Sequence, residues 1–260
     1  MVELLNLNSG IRPEPRVTVI IPALNEAENL LHVLPRIPSW THEVILVDDH
    51  CTDNTVEVAR HLLPSIRAVE NRRDPGKGNA LQAGFEAATG DIVVTVDADG
   101  SEDPAEIALF VGALTAGADF VKGSRFMQGG GTSDMPWLRR WGNGIFVKLV
   151  RVFFGGHYTD LCYGYNAMWT SVVPRLCLDG DGFEIETMMN IRALRLNLKV
   201  AEVPSYESPR VHGEGRLLTL PDGWRVLKTI WREKFSPVDL TRVDGRSEEA
   251  LPQPETLSTP

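Results

Sequence analysis

The stretch Val93-Val94-Thr95-Val96-Asp97-Ala98-Asp99-Gly100 is the one that most constrains the fold. Its β-branched run reads as a buried strand, and the run stops on two aspartates one residue apart. At the C-terminal end of a strand in an α/β sheet, side chains face the crevice where ligands bind. Two carboxylates there suit Mg²⁺ or Mn²⁺ carrying a diphosphate, although such a pair alone is also an ordinary solvated turn. Two earlier apolar runs end in the same manner. Arg16–Ile21 stops at Pro22 and continues through Ala23, Leu24, Asn25 and Glu26, where Asn25 is predicted to cap a helix beginning near Glu26. Glu43–Val47 stops on Asp48-Asp49 and precedes a helical Val56–Leu63. This alternation predicts an α/β chain with a mostly parallel central sheet flanked by helices, and a ligand crevice along one sheet edge. Neither G-x-G-x-x-G nor G-x-x-x-x-G-K-[ST] is present, so dinucleotide-binding and P-loop chemistry are unsupported.

Further along, Ile66–Glu70 reads as a short strand, Asn71–Gly78 as a loop and Asn79–Thr89 as a helix. Gly76 and Gly78 would let backbone approach a ligand, with Lys77 reaching a phosphate or base; a flexible turn with a solvated lysine is the plainer alternative. After an amphipathic helix at Pro104–Ala116, Asp119–Arg125 is a strand ending in a cation. An arginine fork there suits phosphate oxygens, or an ordinary ion pair. Trp137–Phe154 reads as a helix with a broad apolar and aromatic face whose charges, Arg139, Arg140, Lys148 and Arg151, are all positive. It fits either a membrane interface or core packing with a solvated basic face. Glu184 and Glu186 precede the helix Thr187–Leu196, where an acid can serve as base or simply favour the helix dipole.

With 260 residues and 43% hydrophobic content, the chain is large enough for one sizeable core. A net charge of −9 argues against a nucleic-acid partner. Three cysteines without metal-site spacing suggest reduced thiols in the cytoplasm. No secretory signal and no run of about 20 apolar residues is evident. The expected division is an N-terminal extension at 1–15, one domain at 16–235 and a disordered tail at 236–260.

In order, Val-Ile-Ile-Pro-Ala-Leu-Asn-Glu, Val-Asp-Asp, Gly76-Lys77-Gly78-Asn79-Ala80, Val-Asp-Ala-Asp-Gly and Gly123-Ser124-Arg125-Phe126 resemble a family 2 glycosyltransferase of the GT-A fold. The nearest likeness is to the dolichol- or polyprenyl-phosphate mannose and glucose synthases, over roughly Arg16 to Arg232. That resemblance implies a donor site, for GDP-mannose or UDP-glucose, at Pro22, Ala23, Leu24, Glu26, Val47, Asp48, Lys77, Asp97, Ala98, Asp99, Arg125, Arg210 and Arg216. It implies Mg²⁺ or Mn²⁺ on Asp97 and Asp99, and a catalytic set of Asp99, Arg125 and Arg139, the two arginines holding a polyprenyl phosphate. It also implies that the 137–154 helix lies at a membrane interface, peripheral to the inner face. The family stacks an aromatic on the base where Leu24 stands, and carries a further metal ligand where Ser101 stands. Asp160–Ala167 resembles its Asp-x-x-x-Gly-Phe-Arg motif with Asn166 in place of the basic residue. Arg210–Arg216 resembles its loop over the donor diphosphate.

Two other functions remain open on the residues. The same fold can transfer sugar to a soluble hydroxyl, in which case Glu184 is the candidate base. A catalytically idle sugar-nucleotide-binding protein would not need the acids at 97 and 99 or the cations at 125 and 216.

Overall fold

The structure is a computed structural model describing residues 14–133, 135–215 and 217–240. Arg216 and most of the 1–15 and 236–260 segments lie outside the described residues. The strands are β1 (Val17–Ala23), β2 (Glu43–Asp48), β3 (Arg67–Glu70), β4 (Ile92–Thr95), β5 (Phe120–Ser124), β6 (Gly131–Thr132), β7 (Asn166–Trp169), β8 (Val200–Pro204) and β9 (Tyr206–Glu207). The α-helices are α1 (Ala27–Val33), α2 (Thr55–Leu62), α3 (Lys77–Ala87), α4 (Ile107–Thr115), α5 (Trp137–Phe154), α6 (Glu184–Arg195) and α7 (Thr219–Phe235).

Seven strands form one sheet in the order β3-β2-β1-β4-β7-β5-β8. All adjacent pairs are parallel except those of β7, which runs antiparallel to β4 and β5. This is the expected mostly parallel sheet, with one reversed strand inserted between β4 and β5. Side chains alternate across a strand, and here both faces are buried, so the strands read as continuous apolar runs. Val19, Ile21, Leu46 and Val94 pack on one face with Leu30, Phe110 and Leu114. Ile20, Ile45, Val47 and Val93 pack on the other with Leu81, Phe85, Ile185 and Met189. Each fully buried Val, Ile or Leu contributes about 1.5–3 kcal/mol of transfer free energy. A third cluster joins α5, α6 and α7 through Val150, Ile191, Val226 and Ile230.

Two local expectations are corrected. Asn25 does not cap a helix: its backbone is left-handed at φ 55°, and its Oδ1 accepts from the N–H groups of Thr52 (2.7 Å) and Asp53 (3.3 Å). It fastens the β1 loop to the β2 loop, and α1 begins at Ala27 without a side-chain cap. The second concerns α3, which starts at Lys77 rather than Asn79. Gly76 before it and Gly78 in its first turn also permit a close approach of protein: a Cβ on Gly76 or Gly78 would stand 2.3 Å from the carbonyl oxygens of Asp181 and Gly180 respectively, while Gly76 lines the cleft as well. Gly78 donates its N–H to Asp181 O at 2.9 Å, so the head of α3 is docked on the segment that leads into α6.

Candidate active site

Parallel β1, β2 and β4 deliver their C-terminal ends to the same edge, and a cleft of about 750 Å³ opens there. Its walls include Pro22, Ala23, Leu24 and Glu26 after β1, Lys77 on α3, Asp97, Ala98 and Asp99 after β4, Arg125 after β5, and Arg139 and Arg210. Eleven of the expected positions thus meet in one cavity.

Three do not. Val47 is fully buried, and its Cγ2 lies 3.0 Å from where a Gly84 Cβ would be, so it packs under α3 and cannot touch a donor. Asp48 turns its Oδ1 onto the N–H of Cys51 at 2.7 Å. The neighbouring Asp49 lines the cleft instead, accepting from Gly76 N–H and from Asn71 Nδ2 at 2.7 Å. Glu184 accepts from Gly182 N–H at 3.1 Å at the entrance of α6 and does not line the cleft. Glu186 does, at 3% exposure. The two acids are two positions apart on a helix and therefore on different faces; knowing the helix begins at Glu184 would have been enough to separate them.

The acids of the site are matched with cations. Lys77 Nζ lies 2.6 Å from Asp97 Oδ1 and 3.1 Å from Glu186 Oε1. Burial lowers the lysine pKa, but Asp97 and Glu186 outweigh it and hold the ammonium well above its ordinary range. Burial raises the Glu186 pKa, against the opposing charges of Lys77 and Lys122. Behind the aspartates, the fully enclosed Glu102 accepts from Asp97 N–H at 2.8 Å; burial and then the Asp97 charge push its carboxyl well above the usual range. Gly164 packs close to this pair, since a Cβ there would stand 2.6 Å from Lys77 Nζ and 2.8 Å from Asp97 Oδ2.

Arg125 is buried and gripped by Asp160, with Nη1 on Glu207 at 2.9 Å. Burial opposes its charge, yet Asp160 outweighs that effect and keeps the guanidinium above its ordinary value. Arg139 has no carboxylate partner among the described residues; it donates to Leu217 O at 2.7 Å and Thr219 Oγ1 at 3.1 Å. Arg210 lies across the mouth, paired with Glu26 and 3.5 Å from Asp99 Oδ2. Its loop is fastened by a reciprocal pair between Asn29 and the His212 backbone, at 2.8 and 3.1 Å.

Asp97 and Asp99 present hard oxygens into the cleft with 29% and 23% side-chain exposure. Two carboxylates, with the remaining positions filled by diphosphate and water, are a donor set that fits Mg²⁺ or Mn²⁺. Among the described residues no group of three or more His, Cys, Asp or Glu side chains is placed to hold a metal on protein ligands alone.

Beyond the charged floor the same cavity runs between α5 and α7, lined by Leu138, Trp141, Ile145, Phe146, Leu220, Trp224 and Leu227. Trp137, Trp141, Leu220 and Trp224 are 78%, 64%, 77% and 67% exposed. No helix among the described residues is long and apolar enough to cross a membrane.

A family model described as glycosyl transferase family 2 matches residues 18–176. The chain is 31% identical over 210 residues to a dolichol-phosphate mannosyltransferase of Pyrococcus furiosus, covering 78% of this chain and 59% of that protein. It is 30% identical over 219 residues to a polyprenol monophosphomannose synthase of Mycolicibacterium smegmatis, covering 80% and 83% of the two. Among solved structures, glucosyl-3-phosphoglycerate synthase of Mycobacterium tuberculosis in complex with Mn²⁺, UDP and glucosyl-3-phosphoglycerate superposes with a TM-score of 0.66 at 24% identity, covering 85% of this chain and 80% of the other. That likeness is one of fold, and the fold is GT-A.

Proposed function

This chain belongs to glycosyl transferase family 2, and from that premise we propose that it moves a hexose from a nucleotide-sugar to a polyprenyl phosphate at a membrane surface. One observation carries the choice of acceptor: the cavity that holds the aspartates continues without a break into the apolar channel between α5 and α7. A phosphate on a long apolar chain matches that sequence of surfaces, whereas a small polar acceptor has no use for the channel. The exposed tryptophans at its mouth, with Arg140, Lys148 and Arg151 on α5, support a peripheral membrane contact, because such helices seat aromatics at the acyl boundary and draw anionic lipid. The first relative cited above, of which the chain spans 59%, is by its name also a transferase for a lipid phosphate.

In this reading the nucleoside lies along Pro22, Leu24 and Asp49, with Glu26 and Lys77 beside the phosphates and Arg210 closing over them. Asp97 and Asp99 would hold Mg²⁺ or Mn²⁺, which supplies charge neutralisation to the departing diphosphate. Arg139, whose charge no acid among the described residues matches, binds the acceptor phosphate, and Arg125 stands behind it as an already neutralised wall. One phosphate oxygen attacks the anomeric carbon opposite the diphosphate, the glycosidic C–O bond breaks, and the configuration inverts. The acceptor is anionic at neutral pH, so no base is required, and the barrier falls by alignment and charge stabilisation.

A soluble hydroxyl acceptor is the second reading. Glu186 favours it, as a cleft-lining carboxylate whose pKa burial raises. A donor panel of UDP-glucose and GDP-mannose, assayed with Mg²⁺ or Mn²⁺ and with or without a short polyprenyl phosphate, separates the two. Transfer to the lipid phosphate is the expected result; faster glycosylation of a water-soluble hydroxyl would replace the first reading by the second.

A further inference from the structure

Lys122 is fully buried on β5, directly beneath the cleft, and no carboxylate lies within 4 Å of it among the described residues. Its Nζ donates to the carbonyl of Tyr163. An ammonium taken out of water with one carbonyl for company is costly unless surrounding charge holds it there. That charge is present on all sides. Burial lowers the lysine pKa, while Glu186 and Asp160 raise it and Arg125 adds to the lowering. Glu202 occupies the register position beside it on β8.

The other register partner of Lys122 is Asn166 on β7. Partners in register project to the same face of a sheet, so these two side chains address the same neighbours. Asn166 Nδ2 donates to Glu186 Oε2 at 2.7 Å. The amide therefore gives one oxygen of Glu186 a donor without answering its charge. Lys77 is shared between Glu186 and Asp97, and Arg125 between Asp160 and Glu207, so two cations stand against these four acids and Lys122 is the third.

We propose that Lys122 is a positioning residue of the transfer site, supplying from β5 the positive charge that Asn166 does not supply from β7. Through the Tyr163 carbonyl it holds the segment 160–164. One end of that segment carries Asp160, which aims Arg125; the other is Gly164, packed against Lys77 and Asp97. Without the charge at 122, the carboxylates beneath the cleft repel one another and the segment shifts toward Lys77 and Asp97. This assignment rests on the cleft being the transfer site and is independent of which acceptor is used.

The test is a charge swap in the full chain: Lys122→Met, Asn166→Arg and the double variant, compared with wild type. Donor kcat and KM are measured with UDP-glucose and GDP-mannose, and unfolding midpoints without ligand. Lys122→Met is expected to lower kcat about tenfold or more with donor KM changed less than about threefold, since positioning rather than uniform binding is lost. Asn166→Arg alone crowds a second cation into the cluster and lowers the midpoint. The double variant should regain kcat to within about threefold of wild type, a coupling that a merely structural lysine would not produce. A Lys122→Met enzyme with wild-type kcat overturns the proposal, and so does a folded double variant no faster than Lys122→Met. If Lys122→Met does not fold, a double variant that folds and turns over supports the assignment, and one that also fails to fold overturns it. If wild type transfers no sugar at all, the proposed function falls, yet the midpoints still decide: the double variant above both single variants supports the swap, and any other order overturns it.

Discussion

The Arg125 guanidinium closes on Asp160 through two parallel bonds, Nε to Oδ2 at 2.7 Å and Nη2 to Oδ1 at 3.0 Å. Both side chains are almost wholly buried, and Glu207 accepts from the remaining Nη1 at 2.9 Å. A cation held in this way gives shape and direction more than net charge, and losing one partner of such a pair costs about 3–5 kcal/mol. Asp160→Asn should therefore lower the unfolding midpoint by several degrees and reduce transfer. Thermal unfolding followed by circular dichroism checks the first, and a variant with an unshifted midpoint would deny the pair its structural weight.

Arg139 is the contrasting case. Among the described residues its bonds go to Leu217 O and Thr219 Oγ1 rather than to an acid, so its charge is available to a ligand. Arg139→Ala is expected to reduce transfer to polyprenyl phosphate by about 10- to 100-fold, the loss of one charge-assisted contact, while donor hydrolysis changes little. Equal losses in both assays would assign the residue to the donor side.

Asp99→Asn should abolish metal-dependent transfer and leave the fold intact, because an amide is a weaker ligand than a carboxylate for a hard divalent ion. Addition of EDTA to wild type should have the same effect, reversed by excess Mg²⁺ or Mn²⁺. Undiminished turnover by the variant would remove the proposed metal centre.

Trp141 on α5 and Trp224 on α7 both line the apolar channel, and both are well exposed. The pair Trp141→Ser and Trp224→Ser should weaken sedimentation with anionic liposomes and raise KM for the lipid acceptor without altering donor KM. Wild-type binding to liposomes should itself fall at high salt, as screening shortens the reach of the basic residues. A protein indifferent to liposomes at low salt would favour the soluble acceptor.

Acid stability has a specific sensor far from the cleft. Burial opposes the charge of Glu43, but bonds from the Thr89 N–H, Thr18, Thr89 and Arg67 outweigh it and bring its pKa down to about 2 from an ordinary value near 4.5. A carboxyl depressed on folding contributes stability that is fully present above the unfolded pKa and is lost as pH falls through the folded one. Wild type should thus lose stability between about pH 4.5 and 2, and Glu43→Gln should show a flatter curve over that window with a lower plateau above it. Parallel curves for the two proteins would mean that Glu43 titrates alike in both states.

Local chemistry in the chain was enough for the sheet, for the edge on which the site lies and for most of its wall. Strands that end on Pro22, on Asp48-Asp49 and on Asp97-x-Asp99 can only present those ends together if they run parallel, and each is followed by a helix of the right period. Helix α5 was legible to the residue, because its apolar spacing runs unbroken from Trp137 to Phe154. What the chain could not say was the rotation of each side chain about its own element. Val47 packs under α3 within β2, while Asp49 stands one residue past the end of that strand and lines the cleft; in the first turn of α6, Glu186 lines the cleft and Glu184 does not. Such choices depend on where an element begins to within one residue, which is where sequence patterns are weakest. The pairing of charges was likewise beyond local reading. Arg125 with Asp160, Arg210 with Glu26 and Lys122 beside Asn166 join residues 35, 184 and 44 positions apart. Only the closing of the sheet and the docking of the lid loop bring them within reach, and in a buried site it is that proximity which decides which charge is matched and which is left for a substrate.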